Sequence, residues 1–306
     1  MEETIIKAFI LVSFIFGGYM MKQVGLFSPQ AFDTISSIVF RITLPAAIIV
    51  NLNGVHFETN YLFISVLAIV FNFIFIGLGY VMGRDKIEKS FYMLNLNGFN
   101  IGNFALPFVS YFFDSAAVLV VCLFDAGNSI MCLGIAYGLA AFVRGGERNG
   151  ENPFAMLAKT VLTSVPVLSY ILMIILAVAG LKLPQVLIEW AKIPAAGNTF
   201  LSMLMIGVAL GVSLKDEFIH LITRNISVRV IASALMAAGV FFFSPYPMSI
   251  TKVIVILIFS PIASMACYFT AKLKGNIQVA ACISSLYILI SIVVMSTLIV
   301  VLSHAV

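Results

Sequence analysis

Charge is what this sequence has least of: 10% of its residues are Asp, Glu, Lys or Arg, where soluble globular domains hold about 25%. That scarcity excludes an ordinary water-soluble fold. A GxxxxGK[ST] phosphate loop, an HExxH helix and a GxSxG turn are also missing, so neither ATP drive nor hydrolysis has a motif behind it. The four cysteines, Cys122, Cys132, Cys267 and Cys282, all fall within apolar blocks and none forms a CxxC pair. They read as buried small hydrophobes rather than a disulfide or metal set. The histidines, His56, His220 and His304, sit in loops or near the end of the chain. No metal, cofactor or nucleic-acid partner is expected, and the chain is not expected to be an enzyme.

What is present is apolar. Hydrophobic residues make up 62% of the 306 positions, and mean hydropathy is +1.12. They come in blocks of about 20 residues, the length an α-helix needs to cross roughly 30 Å of hydrocarbon. A barrel would instead show alternating strands of about ten residues. The first block opens with Glu2, Glu3 and Lys7 rather than a basic leader, and reads as a retained helix. Ten spans are expected, at 4–22, 31–52, 61–83, 90–113, 115–143, 155–180, 185–212, 224–244, 249–272 and 277–303. The fold class is therefore an all-α polytopic protein embedded in a lipid bilayer.

Orientation follows from the basic residues. Lys22, Arg84, Lys86, Lys89, Arg144, Arg148, Lys159, Lys215, Arg224, Arg229, Lys272 and Lys274 fall on one side of this scheme. Lys7, Lys182, Lys192 and Lys252 fall on the other, and Arg41 stays inside span two. Twelve against four makes the first side cytoplasmic by the positive-inside rule. Both termini are then extracytoplasmic, in what reads as a bacterial inner (plasma) membrane.

A short repeat divides the chain. Gly25, Leu26, Pro29 and Gln30 match Gly180, Leu181, Pro184 and Gln185 at one constant offset, each set lying between the first and second spans of a group of five. Five is odd, so the second group enters the membrane from the opposite side, the inverted arrangement common in secondary transporters. The first five-helix repeat covers 1–143, a cytoplasmic hinge 144–154, and the second repeat 155–306. The hinge holds the longest polar stretch, RGGERNGENP.

Two spans are interrupted at matching places in the halves. Span four contains LNLNGFNIGNFALPF, Leu94 to Phe108, and span nine contains Pro261 beside Ser260 and Ser264. Paired Gly/Pro-broken spans point to a transporter binding site, because open backbone at membrane depth survives only when buried in protein or facing a wet cavity. Asn97, Asn100 and Asn103 are three apart, so along a helix they share one side. Their amides offer donors and acceptors to the break, and Asn95 lies off that line. The plainer reading is that these residues only kink and glue a packed bundle.

The segment Gly98 to Pro107, GFNIGNFALP, resembles the Asn/Gly-rich fourth helix, ending in Leu-Pro, of the auxin efflux carrier family. That family includes plant PIN-type carriers and bacterial malate or malonate permeases. SPIASMACYFTAKLKGN, Ser260 to Asn276, resembles its ninth helix. The resemblance implies a scaffold of helices 1, 2, 6 and 7 and a transport domain of helices 3–5 and 8–10. It also implies that broken helices 4 and 9 cross near the midplane with substrate at the crossing, and a homodimer formed through the scaffold. Asn100, Gly102, Asn103 and Pro107 are its helix-four positions; Ser260, Pro261 and Ser264 are those of helix nine. The chain departs from the plant pattern in lacking a long central loop and a second proline near Ala266.

Other polar residues fall inside spans. Asp125 and Asn128 lie one turn apart in span five, and an intramembrane carboxylate marks an ion, proton or substrate path by default. They are candidates for proton coupling or for supporting the site. Arg41 reads as a snorkelling or scaffold residue, with Asp33 a possible partner. Glu189 and Lys192 read as an interfacial pair. The expectation is a secondary active carrier of a small organic anion, a mono- or dicarboxylate, working by elevator-like alternating access. The alternative is a membrane sensor or receptor that binds ligand without net transport. An intramembrane enzyme built on Asp125 would need a second carboxylate nearby, which the sequence does not offer.

Overall fold

Where lipid replaces water, the backbone must satisfy its own hydrogen bonds, and a helix does so within one segment. The computed structural model describes residues 2–28, 30–55, 59–145, 162–211 and 216–303. Every regular element among them is helical. In chain order these are α1 (Glu2–Gln23), α2 (Ala31–Leu52), α3 (Phe63–Met82), α4 (Lys86–Leu96), α5 (Leu106–Phe112) and α6 (Ser115–Val143). There follow α7 (Val165–Val178), α8 (Gln185–Ala209), α9 (Ile219–Phe243), α10 (Met248–Ile258), α11 (Met265–Lys272) and α12 (Ile277–Ser303). Pro29, His56, Arg148, Lys159, Lys215, His304 and the hinge from residue 146 onward lie outside the described residues.

Among the described residues, five helical stretches are long and apolar enough to cross a membrane: Ala31–Leu52, Asn60–Met82, Ser115–Val143, Ile219–Phe243 and Ile277–Leu302. The outer surface suits a hydrocarbon solvent. Phe142, Trp190, Ile193 and Phe243 are each about four-fifths exposed, a pattern that a water-facing surface avoids. The intervals expected for spans four and nine are each divided, into α4 and α5 and into α10 and α11. Cys122, Cys132 and Cys282 are buried and Cys267 is half-buried, and none of the four forms a disulfide among the described residues.

The short repeat has a local physical meaning. Gly25 and Gly180 have φ of +76° and +67°, a conformation that L side chains disfavour. Gly25 N–H bonds to Lys22 O at 3.1 Å and Leu26 N–H to Met21 O at 2.9 Å. Gly180 N–H bonds to Ala177 O at 3.1 Å and Leu181 N–H to Leu176 O at 2.8 Å. These paired bonds are the Schellman pattern that satisfies the last carbonyls of a helix. The Gly-Leu pair thus closes α1 and α7 in the same way.

Packing brings α1 onto α8 and α2 onto α7 and α8, with Thr43 Oγ1 donating to Asn198 Oδ1 at 3.0 Å. On the other side, α3 packs on α4 and α6, where Ser65 Oγ donates to Leu123 O at 2.6 Å. The second-half elements join this group: α9 contacts α10, and α11 contacts α12 and α4. Phe75, Phe99, Phe104, Phe108 and Phe124 are fully buried there, around the point where the two divided helices meet.

Candidate functional site

The backbone leaves the helix after Leu96 and re-enters one at Ile101, in an apolar interior where each unpaired N–H or C=O is costly. Gly98 makes the turn with φ +83°; a Cβ there would overlap Cys132 Sγ and Ala263 Cβ. Asn72, from α3, accepts from Gly98 N–H at 3.1 Å. Asn128, from α6, accepts from Phe99 N–H at 3.0 Å and donates to Phe99 O at 2.8 Å. Asn100 N–H donates to Pro261 O at 2.7 Å, which binds the first break directly to the second. The guanidinium of Arg229 donates to Leu96 O, to Gly98 O at 2.7 Å and to Ser260 O at 3.3 Å. Re-entry runs through a π turn, Ile101–Ala105, in which Leu106 N–H reaches Ile101 O. The wider turn suits the missing N–H of Pro107 one residue further on.

These partners differ from the expected ones. The amides of span four were expected to satisfy its break, but Asn72, Asn128 and Arg229 do so from other helices. Asn100 and Asn103 are left to face a cavity of about 1040 Å³, whose wall also includes Gly102, Asp125, Asn128 and Ser264. Asn100 Nδ2 donates to Ser264 Oγ at 3.3 Å, so side chains of both breaks touch on this wall. Asn103 is buried, and its Oδ1 has no partner among the described residues. Asp125 Oδ1 accepts from Asn128 Nδ2 at 3.0 Å and from Ser129 Oγ at 3.5 Å. No basic side chain forms an ion pair with Asp125 among the described residues. The only other charged side chain on the described wall is Lys22, whose Nζ donates to Leu210 O at 2.8 Å.

Four expected residues are not on this wall. Asn97 lines a separate cavity of about 10 Å³ beside Leu94, Cys132 and Met265. The three-residue spacing does not align it with Asn100 and Asn103, because the chain between 97 and 100 is not helical. Pro107 is buried in the first turn of α5. Ser260 and Pro261 act through their carbonyls, toward Arg229 and Asn100. Asn95, off the expected line, ties α4 to α11 by donating to Thr270 Oγ1 at 2.9 Å.

The sequence matches no protein-family model and no curated protein. Geometry therefore has to support the functional reading, and its least expected member is Arg229. A span starting at 224 would set it near the cytoplasmic end. The helix begins at Ile219, which makes Arg229 its eleventh residue, about 15 Å along the axis, and it is 0% exposed. Its apolar neighbours, Val228, Val230 and Ile231, were the available signal. Asn72, alone between Phe71 and Phe73, was legible in the same way. Lys252, placed on the outer side, is likewise buried in α10. Arg41 is exposed and makes no ion pair with Asp33 among the described residues. The exposed Glu189–Lys192 pair is present at 2.7 Å.

Proposed function

We propose that this protein is a secondary active carrier that moves a small organic anion, a mono- or dicarboxylate, across the membrane by alternating access. The observation that supports this most is the meeting of two interrupted helices on the wall of one large cavity, through Asn100 and Pro261. Helix starts have N–H groups without intrahelical partners and carry about half a positive charge. The π turn before α5 and the start of α11 both contribute residues to the wall, Gly102 and Asn103 from one and Ser264 and Met265 from the other. A carboxylate there gains amide donors from Asn100 and Asn103 without a neutralising cation.

Asp125 shares the cavity with that anion. Two ionised carboxylates side by side on one wall repel each other, so substrate and a proton on Asp125 are taken up together. In this reading the chain crosses the membrane ten times as two inverted repeats with extracytoplasmic termini. The packing of α1, α2, α7 and α8 supports a scaffold. The remaining helices form the moving unit, in an elevator-like displacement. Lys22, on the expected cytoplasmic side, lies on the cavity wall, so the cavity is read as cytoplasm-facing. The resemblance to auxin efflux carriers points the same way, including a homodimer through the scaffold.

The test is uptake into proteoliposomes of labelled mono- and dicarboxylates under imposed proton, sodium and voltage gradients. Accumulation of one anion above equilibrium supports the carrier. Saturable binding with no flux under any gradient replaces it with a ligand-binding membrane sensor.

A further inference from the structure

Arg229 is a fully buried cation with no carboxylate in ion-pair reach among the described residues. Its terminal nitrogens donate to backbone oxygens, Leu96 O, Gly98 O and Ser260 O, with the Tyr287 hydroxyl beside the guanidinium and Nε without a partner among the described residues. Around them the faces of Phe75, Phe99 and Tyr287 lie 4.6, 5.3 and 4.9 Å from the guanidinium carbon, a shell that attracts a cation and excludes water.

Those oxygens have a common origin. Leu96 is the last residue of α4, and Ser260 lies two residues beyond the end of α10. The C-terminal end of a helix carries about half a negative charge. Two such ends meeting at one point sum to about one negative charge, which a single guanidinium cancels. Unwound carbonyls and half-helix C-termini are also the ligands that hold a coupling sodium ion where interrupted helices meet in transporters. Here the place such an ion would take is filled by the chain itself.

We infer that Arg229 is a tethered cation at an alkali-cation position: it completes the crossing without a free metal ion and makes the folded site indifferent to sodium and potassium. Arg229 is a positioning residue. By cancelling the two C-terminal ends it holds both breaks in register, and this leaves the helix starts as the uncompensated charge facing the cavity. A lysine replaces it poorly, because one compact ammonium lacks the planar fork whose two terminal nitrogens divide the carbonyls between them, one on Leu96 O and the other on Gly98 O and Ser260 O.

The test reads thermal unfolding in detergent and needs no ligand, so it stands or fails separately from the carrier reading. Wild-type protein is compared with Arg229→Ala and Arg229→Lys in N-methylglucamine, sodium, potassium and methylguanidinium chlorides at equal ionic strength. Wild-type Tm is expected to be the same in all four salts. Arg229→Ala is expected to have a lower Tm that rises saturably with millimolar methylguanidinium. Arg229→Lys is expected to remain below wild type. Cation-specific rescue separates this role from simple packing, which no ion restores. If Arg229→Ala cannot be purified, its recovery in buffers with and without methylguanidinium gives the same readout. The inference is overturned by saturable stabilisation of the wild type by sodium or potassium, by an Arg229→Ala protein of unchanged Tm, or by a loss that no cation reverses.

Discussion

The side chain of Asn128 holds both polar backbone groups of Phe99, accepting from its N–H at 3.0 Å and donating to its C=O at 2.8 Å. One amide therefore does for a broken helix what two turns of intact helix would have done. It also ties α6, with Asp125 one turn away, to the break that faces the cavity. The same amide donates to Asp125 Oδ1, so the shape of the break and the placement of the carboxylate are coupled through it.

Truncating Asn128 should expose that dependence. Asn128→Ala leaves two buried backbone groups unpaired, each worth about 1–3 kcal/mol, so a combined loss of roughly 2–6 kcal/mol is expected in thermal or denaturant unfolding. Asn128→Asp keeps an acceptor for Phe99 N–H, loses the donors and sets a second carboxylate beside Asp125; it should be no better. A variant as stable as wild type would mean that another group holds the break.

Asn103 should behave in the opposite way. Its Oδ1 has no partner among the described residues, so Asn103→Ala is expected to change stability by less than about 1 kcal/mol. Carboxylate binding should weaken at least tenfold, equivalent to about 1.4 kcal/mol. Calorimetric titration alongside a melting curve distinguishes the outcomes. Normal binding would move the site elsewhere, and an unfolded product would make the amide a packing residue.

Asp125→Asn retains an oxygen for the Asn128 donor but removes the charge. The variant should fold and exchange labelled substrate across the membrane at equilibrium, while accumulation driven by a proton gradient disappears. Unimpaired proton-driven accumulation would exclude Asp125 as the proton carrier.

Gly98 and Gly25 form a matched pair. Both have positive φ, but a Cβ on Gly98 would lie 2.6 Å from Cys132 Sγ, whereas one on Gly25 meets nothing within 4 Å. Gly25→Ala should cost only the conformational penalty of about 1–2 kcal/mol. Gly98→Ala should cost a further 1–3 kcal/mol or so from overpacking. Adding Cys132→Ala should return part of that excess, as unfolding measurements on the double variant would reveal.

How much was legible divides along the distance between interacting residues. The Gly-Leu caps at Gly25 and Gly180, the exposed Glu189–Lys192 pair and the divisions at Asn97–Asn100 and Pro261 are local, and each was visible in a few letters. Asn97 does not line up with Asn100 and Asn103, because the helical spacing that would align them does not hold across residues 97–100, where the chain is not helical. Arg229 was misplaced for a different reason. A helix start set five residues late puts this buried cation near the cytoplasmic end of its span instead of at its eleventh residue, since hydropathy cannot say where in a helix water ends.

By itself the sequence determined an all-helical chain with apolar helices able to cross a membrane, because unpaired backbone has no partner in hydrocarbon. It also determined where two of those helices break, because glycine and proline act on their own turn. Only the tertiary structure decided what fills the breaks: Asn72, Asn128 and Arg229 reach the first one from 26, 29 and 131 residues away. Burial leaves each opened N–H and C=O to find whichever polar group the packing of other helices brings within 3 Å or so, and that is settled by packing in three dimensions.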